Sequence, residues 1–383
     1  MRRCPAKRVQ PLPEALKNGL NKSAITRLAA NLKRVFPTFD STSFVSSSCK
    51  GLGKLELKER VAHVACQLAK YLPSDYSKAL SIIVESASQW NRGQEDDPLR
   101  GFAAWPLFRY IEVEGLHEPK ASLAALREIT HLFSAEFAIR PFIESNPKQV
   151  FAELKKWTTH KSEHVRRLVS EGIRPRLPWA TKVDLLIESP EPIIKLLELL
   201  KDDSELYVRR SVANNLNDIA KDHPDVVLDL CYRWAKDASP EREWIIQRAT
   251  RTLVKDGHPR VWGLLGFSHP PLLSSSAIAL SPKSLAIGGA GKFSLTLTST
   301  GKKKQRLAVD YAIHYIKANG KARAKVFKLK VFDLAPGQTF SIEKSHSFVE
   351  RSTRKHYPGT HTIELLVNGE SMAKKDFALK AAQ

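Results

Sequence analysis

What most constrains this 383-residue chain is an imperfect internal repeat. "HVRRLVSEGIRPRLPW" (164–179) and "YVRRSVANNLNDIAKDHPDVV" (207–227) share the pattern xVRRxV 43 residues apart. A third stretch, "EREWIIQRATRTLVKDGHPRVW" (241–262), repeats the ending, "KDHP" at 221–224 being echoed by "KDGHP" at 255–259. Helical texture recurring near 40 residues predicts stacked helix pairs. Such a HEAT-like solenoid shares one continuous core between neighbours and presents a concave surface.

Upstream of the repeat the helical period continues. "KSAITRLAANLKRVF" (22–36), "LELKERVAHVACQLAKYL" (55–72), "DYSKALSIIVESASQW" (75–90) and "LAALREITHLFSAEFAIRPFIE" (123–144) each carry apolar residues at i, i+3/i+4 and i+7 between Pro, Gly, Ser or Asp punctuation. In the last of these, Glu136 sits at the edge of the apolar stripe with Arg140 one turn on, the spacing of a simple ion pair on a helix flank. Pro141 is expected to end or bend that helix. After Gly266 the texture changes. "FSHPPLLSSS" (267–276) has the composition of a linker, and beyond it come alternating runs at 292–300, 306–316, 324–334, 338–349 and 360–372. With "NG" at 368–369 as a hairpin signal, these predict an immunoglobulin-like β-sandwich. The expected architecture is therefore multidomain: an all-α HEAT-like repeat domain over 1–262, a linker over 263–276 and an all-β sandwich over 277–383.

Lys and Arg exceed Asp and Glu by 21, and from Ala277 onward there are 19 basic residues against 7 acidic ones. That surplus favours polyanionic partners, with nucleic acid ahead of anionic membrane. Cys4, Cys49, Cys66 and Cys231 lie far apart with no CxxC pair, which argues against a disulfide framework and a structural zinc site. No apolar run approaches the length of a membrane span, and the basic N-terminus lacks an apolar signal core. The chain is expected to be soluble and intracellular.

Helical-wheel arithmetic separates the faces of the repeat. Val165, Leu168, Val169 and Gly172 form one core stripe; Val208, Val212, Leu216 and Ile219 form another. Arg167, Glu171 and Arg174 lie opposite the first, and Arg210, Asn214, Asn217 and Asp218 opposite the second. Stacking would set Glu136, Glu171 and Asp218 on successive units of one groove, with Trp179 leaning in. Each has a plainer reading: Glu171 pairs with Arg167 or Arg174, Asp218 bonds Asn214 at the surface, and Trp179 packs a helix end. Three acids and an aromatic in a basic protein are informative together, because carboxylates repel a nucleic-acid backbone unless they meet something positive. A base alkylated on a ring nitrogen is cationic. Cleaving its glycosidic bond builds an oxocarbenium ion that carboxylates stabilise, while one of them aligns or deprotonates water. A tryptophan face attracts the same cation, by about 1–2 kcal/mol when desolvated. No metal or other cofactor is required.

"RGFAAWPLFRYIEVEGL" (100–116), "FSAEFAIRPFI" (133–143), "SEHVRRLVSEGIRPRLPW" (162–179) and "YVRRSVANNLNDIAKDHP" (207–224) strongly resemble the AlkC-type alkylpurine DNA glycosylases of bacteria, in the HEAT-repeat superfamily that includes AlkD. The likeness spans about residues 1–262, and some members carry a C-terminal immunoglobulin-like domain. It implies hydrolytic excision of cationic bases, including 3-methyladenine and 3-methylcytosine, without flipping the base into a pocket, in a bacterial cytoplasm at the nucleoid. Carried over motif by motif, Glu136, Glu171, Trp179 and Asp218 form the active-site set. Asp218 would lie nearest the anomeric carbon and align water, the two glutamates would stabilise positive charge, and Trp179 would stack on the sugar.

Duplex DNA is thus the expected partner of a monomeric, monofunctional enzyme. Phosphate contacts are expected among Arg166, Arg167, Arg174, Arg176, Arg209, Arg210, Arg248 and Arg251. In the β domain they are expected from basic loops at Lys302, Lys303 and Lys304, Lys344 and His346, and Arg351, Arg354 and Lys355. Two rival readings remain from the sequence alone. One is a non-catalytic HEAT module that binds nucleic acid by charge; the other is a protein–protein adaptor.

Overall fold

The computed structural model describes residues 16–282, 284–350 and 355–381. They divide, between Ile219 and Ala220, into two compact units. No helix among the described residues is long and apolar enough to cross a membrane.

The first unit is helical: α1 (Lys22–Val35), α2 (Ser41–Cys49), α3 (Leu57–Tyr71), α4 (Tyr76–Ser88), α5 (Trp105–Glu114), α6 (Pro119–Ile129), α7 (Arg140–Ser145), α8 (Pro147–Trp157), α9 (Glu163–Gly172), α10 (Asp184–Glu188), α11 (Glu191–Leu200) and α12 (Leu206–Ile219). Local chemistry sets the starts. Side chains of Asn21, Asp40 and Asp75 accept backbone N–H groups at the heads of α1, α2 and α4. Pro occupies the first turn of α5, α6, α7, α8 and α11, where its missing N–H is no loss.

The single helix expected over 123–144 is broken. α6 ends at Ile129, residues 130–139 form turns, and α7 begins at Arg140. Hydroxyls there compete for the backbone: Thr130 Oγ1 accepts from the Ala135 N–H at 3.2 Å, and Ser134 Oγ from the Glu136 N–H at 3.4 Å. Pro141 therefore opens a helix and does not close one.

α9 and α12 are equivalent elements of neighbouring repeats. The predicted stripes Val165, Leu168 and Val169, and Val208, Val212, Leu216 and Ile219, are buried, each side chain contributing roughly 1.5–3 kcal/mol. Between the two helices, Ser211 Oγ bonds Ser170 Oγ at 3.0 Å and Asn215 Nδ2 donates to the Ser170 carbonyl at 2.7 Å. The first arginine of each xVRRxV pattern plays the same part. Arg166 Nη1 folds back on the carbonyls of His160 and Lys161, Arg209 Nη1 on those of Asp203 and Ser204.

The second unit opens with α13 (Pro224–Trp234), α14 (Pro240–Ala249), α15 (Arg251–Lys255) and α16 (Pro259–Leu264), then turns to strands. These are β1 (Leu273–Ser275), β2 (Ala279–Ser281), β3 (Ser284–Ala286), β4 (Ala290–Ser299), β5 (Gln305–Ile316), β6 (Ala322–Leu334), β7 (Thr339–Ser347), β8 (Gly359–Val367) and β9 (Glu370–Lys380). One sheet runs β1-β4-β2 with β7 on the other side of β4; the second runs β3-β9-β8-β5-β6. Inward residues such as Phe293, Leu295, Leu307, Tyr311, Ile313, Ile363 and Leu365 form the shared core. The five runs read from sequence correspond to β4–β8, the last reaching into β9; the three-residue strands β1–β3 were too short to carry a pattern. Asn368 and Gly369, both at positive φ (46° and 81°), turn β8 into β9, as the Asn-Gly signal predicts.

That turn also holds the helices of this unit. A Cβ on Gly369 would lie 2.7 Å from Nε1 of the buried Trp262 in α16. Asn368 Oδ1 accepts from the Ala308 N–H at 2.7 Å, and its Nδ2 donates to the carbonyl of Ser268, inside the Pro/Ser stretch. Gly369→Ala combines a steric clash with a strained φ. It is expected to destabilise this unit by roughly 1–3 kcal/mol, read as a lower thermal midpoint; an unchanged midpoint would mean that Trp262 yields freely.

Candidate active site

Three carboxylates converge in the first unit, carried by the turn after α6, by α9 and by α12. Gly172 makes the approach possible, since a Cβ there would lie 2.7 Å from Ile139 Cγ2, in the segment that follows Glu136. Glu136 Oε2 accepts from Ser134 Oγ and from Arg167 Nη1, both at 2.8 Å. The other terminal nitrogen of Arg167 lies 3.5 Å from Glu171 Oε1. That oxygen also accepts from Arg174 Nη1 at 2.7 Å, while Ser211 Oγ donates to Glu171 Oε2 at 2.5 Å. Arg174 then reaches Asp218 Oδ2 with Nε at 2.9 Å and Nη2 at 2.8 Å. The result is one chain of alternating sign: Glu136, Arg167, Glu171, Arg174, Asp218.

Three carboxylates are thus linked through two guanidiniums. Burial strengthens the links, because Glu171 is 5% and Asp218 2% exposed and charges shielded from water interact more strongly. Desolvation alone would weaken the hold of Arg167 on its proton, but Glu136 and Glu171 more than offset it and keep its pKa above the ordinary value. Arg174 is likewise desolvated and raised by Glu171 and Asp218. Both arginines stay cationic, so the network has a fixed framework. The Arg167 guanidinium carbon also lies 4.8 Å from the centroid of the Tyr207 ring.

The plain expectations fare unevenly. Glu171 does pair with Arg167 and Arg174, yet as the middle of a longer network. Asp218 is buried on Arg174 and is no surface group. Glu136 does not pair with Arg140, because the helix that would align them is absent. Arg140 is instead buried and donates Nη1 to the carbonyls of Gly172 and Arg174 and Nε to that of Thr181. Burial and the nearby Arg174 pull its pKa down to about 10. It thus clamps the loop that carries Arg174 and Trp179, a positioning role no local pattern announced. Trp179 is 54% exposed, with φ of 67°, a conformation that costs a non-glycine residue about 1 kcal/mol or more. Lys58 Nζ donates to its carbonyl at 2.6 Å. Ser134, Ser211 and Tyr207 were also missed; a hydroxyl two residues before an acid, or forty residues after one, leaves no periodic trace.

Residues 133–253 match the family model described as DNA alkylation repair enzyme, and residues 274–381 match the YhaZ C-terminal Ig-like domain. The uncharacterized protein YhaZ of Bacillus subtilis (strain 168) is 35% identical over 363 residues, covering 94% of this chain and 98% of that relative. The alkylpurine DNA glycosylase AlkC of Pseudomonas fluorescens, solved bound to DNA containing an abasic site analog, is 38% identical. The match has a TM-score of 0.84 and covers 96% of this chain and all of the other. The chain belongs to the AlkC family.

Of the basic residues expected to face DNA, this AlkC-family chain commits several to itself. Arg166 is bidentate on Asp203, at 2.6 and 3.0 Å, and Arg209 braces its own loop. Arg167 and Arg174 belong to the carboxylate network. Their neighbours in sequence supply the exposed cations Arg176, Arg210 and Arg251; Arg248 lies over the Trp244 ring at 5.5 Å. In the sandwich of the AlkC-family chain, Lys302, Lys303, Lys304, Lys344 and Lys355 are exposed. His346 is not: it is buried between the hydroxyls of Tyr311 and Tyr315, at 2.8 and 2.7 Å. Arg351 and Arg354 fall outside the described residues.

Proposed function

We propose that this chain is a DNA glycosylase that hydrolyses the N-glycosidic bond of cationic alkylated bases, 3-methyladenine and 3-methylcytosine, without flipping them, without a metal and without lyase chemistry. The observation that carries the reading is the gathering of three carboxylates, Glu136, Glu171 and Asp218, at one place by Arg167 and Arg174. A ring-alkylated base, or the oxocarbenium sugar left as it departs, is a counter-ion of the required sign. The bond from C1′ to the ring nitrogen breaks with its electron pair going to the base, which leaves neutral. Water then adds to C1′ and gives up a proton, with Asp218 aligning it. Glu136 and Glu171 stabilise the positive charge at longer range, and the exposed Trp179 stacks on the sugar.

Binding of the surrounding duplex falls to cations outside the network: Arg176, Arg210, Arg248 and Arg251 on the helices, and Lys302, Lys303, Lys304, Lys344 and Lys355 on the sandwich. In this reading the helical domain, extending to residue 262, performs the chemistry as a monomer, and the β domain from 277 onward adds grip on DNA. Incubating the full chain with methylated duplex DNA in the presence of a chelator tests it. Free 3-methyladenine should accumulate with the strand left unnicked at the abasic site. Tight binding without base release would leave a non-catalytic DNA binder.

A further inference from the structure

The Trp179 side chain is exposed, yet its backbone is tightly held. It lies in the loop between α9 and α10, residues 173–183. The Ala180 N–H returns to the Leu177 carbonyl at 3.2 Å, with Pro178 and Trp179 between them. A proline followed by a residue at positive φ, here 67°, marks a type II turn. The third position of such a turn ordinarily takes Gly or Asn, and a bulky residue rarely adopts it. The chain thus spends backbone strain on placing an indole at this point. Two cations from distant elements hold the loop. Arg140 donates to the carbonyls of Arg174 and Thr181, on either side of the turn. Lys58, 121 residues away in sequence, donates Nζ to the carbonyl of Trp179 itself at 2.6 Å. The turn fixes the peptide plane before Trp179 and Lys58 fixes the one after it. Together they set the direction of the Cα–Cβ bond.

Lys58 is not placed there for the sake of its own helix. It occupies the first turn of α3, where a cation faces the positive end of the helix dipole. The head of that helix is served by Glu56 and Glu59, which cap each other's backbone. The nearby carboxylates are also occupied. Glu56 pairs with Lys17 at 2.6 Å, Glu59 Oε2 accepts from the Glu56 N–H at 2.8 Å, and Glu112, close enough to interact with Lys58, is held by Arg109 at 2.5 Å. Among the described residues Lys58 makes no ion pair, and its hydrogen bond goes to Trp179. We propose that Lys58 is a positioning residue for the reaction: by fixing the Trp179 carbonyl it holds the indole at the angle from which it meets the sugar of the lesion. This rests on the glycosylase reading for the use made of the indole, whereas the hold on Trp179 is a property of the chain alone. A plainer role for an exposed lysine is contact with a DNA phosphate, and the two roles separate by experiment.

The variants, made in the full chain, are Lys58→Met, Lys58→Arg, Trp179→Ala and the double variant Lys58→Met/Trp179→Ala. Single-turnover release of 3-methyladenine is measured beside affinity for undamaged duplex across a salt series. Lys58→Met should slow release by about tenfold, the scale of loss that a misplaced group produces, with affinity and salt dependence unchanged. Lys58→Arg, which keeps a donor within reach of the carbonyl, should recover most of the rate. In the double variant, loss of Lys58 should change the rate of Trp179→Ala by less than about twofold, because its effect runs through the indole. A second readout needs no catalysis. In protein labelled with 5-fluorotryptophan, the fluorine signal that Trp179→Phe removes should shift or broaden in Lys58→Met and return in Lys58→Arg. An unchanged signal in Lys58→Met overturns the proposal, as do fully additive losses in the double variant. So does weaker binding of undamaged duplex with a log–log salt slope flattened by about 1, the mark of a phosphate contact. If wild type releases no base, yet the signal moves in Lys58→Met and returns in Lys58→Arg, the glycosylase reading fails and the hold on the indole stands. If wild type releases base and Trp179→Ala slows it, while Lys58→Met changes neither rate nor signal, the role of Lys58 alone fails.

Discussion

Asp218→Asn is expected to reduce 3-methyladenine release by about 10²–10⁴-fold while affinity for undamaged duplex stays the same or rises. The substitution keeps the volume and an oxygen that accepts from Arg174, so the packing of α12 against α9 is retained. What it removes is the negative charge proposed to align water and to face the cationic sugar. Glu136 and Glu171, held by Arg167 and Arg174, would be left to act on that charge at longer range. Single-turnover release at saturating protein reads the chemical step, and fluorescence anisotropy at fixed salt reads binding. Near-wild-type turnover by the variant would take Asp218 out of the reaction and put the proposed role of the whole network in question.

Arg174→Met should be the most destabilising change in the helical unit. It strips the shared cation from two carboxylates that are almost fully buried. Breaking a buried pair from one side costs about 3–5 kcal/mol, because the remaining charge stays desolvated. For a unit of this size, that is a fall in thermal midpoint on the order of 10 °C. Circular-dichroism melts of wild type and variant at neutral pH check this. A small deficit would mean that Arg167 and Ser211, which stay beside Glu171, and the other groups around Asp218 compensate at little cost.

Much of this arrangement was legible in the sequence, and the part that was not has a common cause. Periodicity located α9 and α12, their buried stripes and the alternation of the sandwich strands, because those depend on neighbours within a turn or a pleat. It also brought Glu136, Glu171 and Asp218 to one place, since stacked repeats carry equivalent positions into register. Local arithmetic failed where partners are distant. Glu136 is matched to Arg140 by spacing, but its partner is Arg167, and Arg140 is spent on carbonyls more than thirty residues downstream. The helix over 123–144 had a continuous apolar stripe, yet the hydroxyls of Thr130 and Ser134 offered its backbone an alternative. A count of charges likewise does not separate Arg166, committed to Asp203, from Arg210, which is exposed.

The contact between Trp262 and Gly369 bears on how such a chain could have been assembled and could be taken apart. The indole edge is covered by a turn contributed more than a hundred residues later, and the stretch with the composition of a linker is stitched to that turn by Asn368. Taking the turn away would bare the indole edge of Trp262 and leave the carbonyl of Ser268 without the Asn368 amide. The seam at which sequence composition changes is therefore not a seam at which the gene can be cut without consequence.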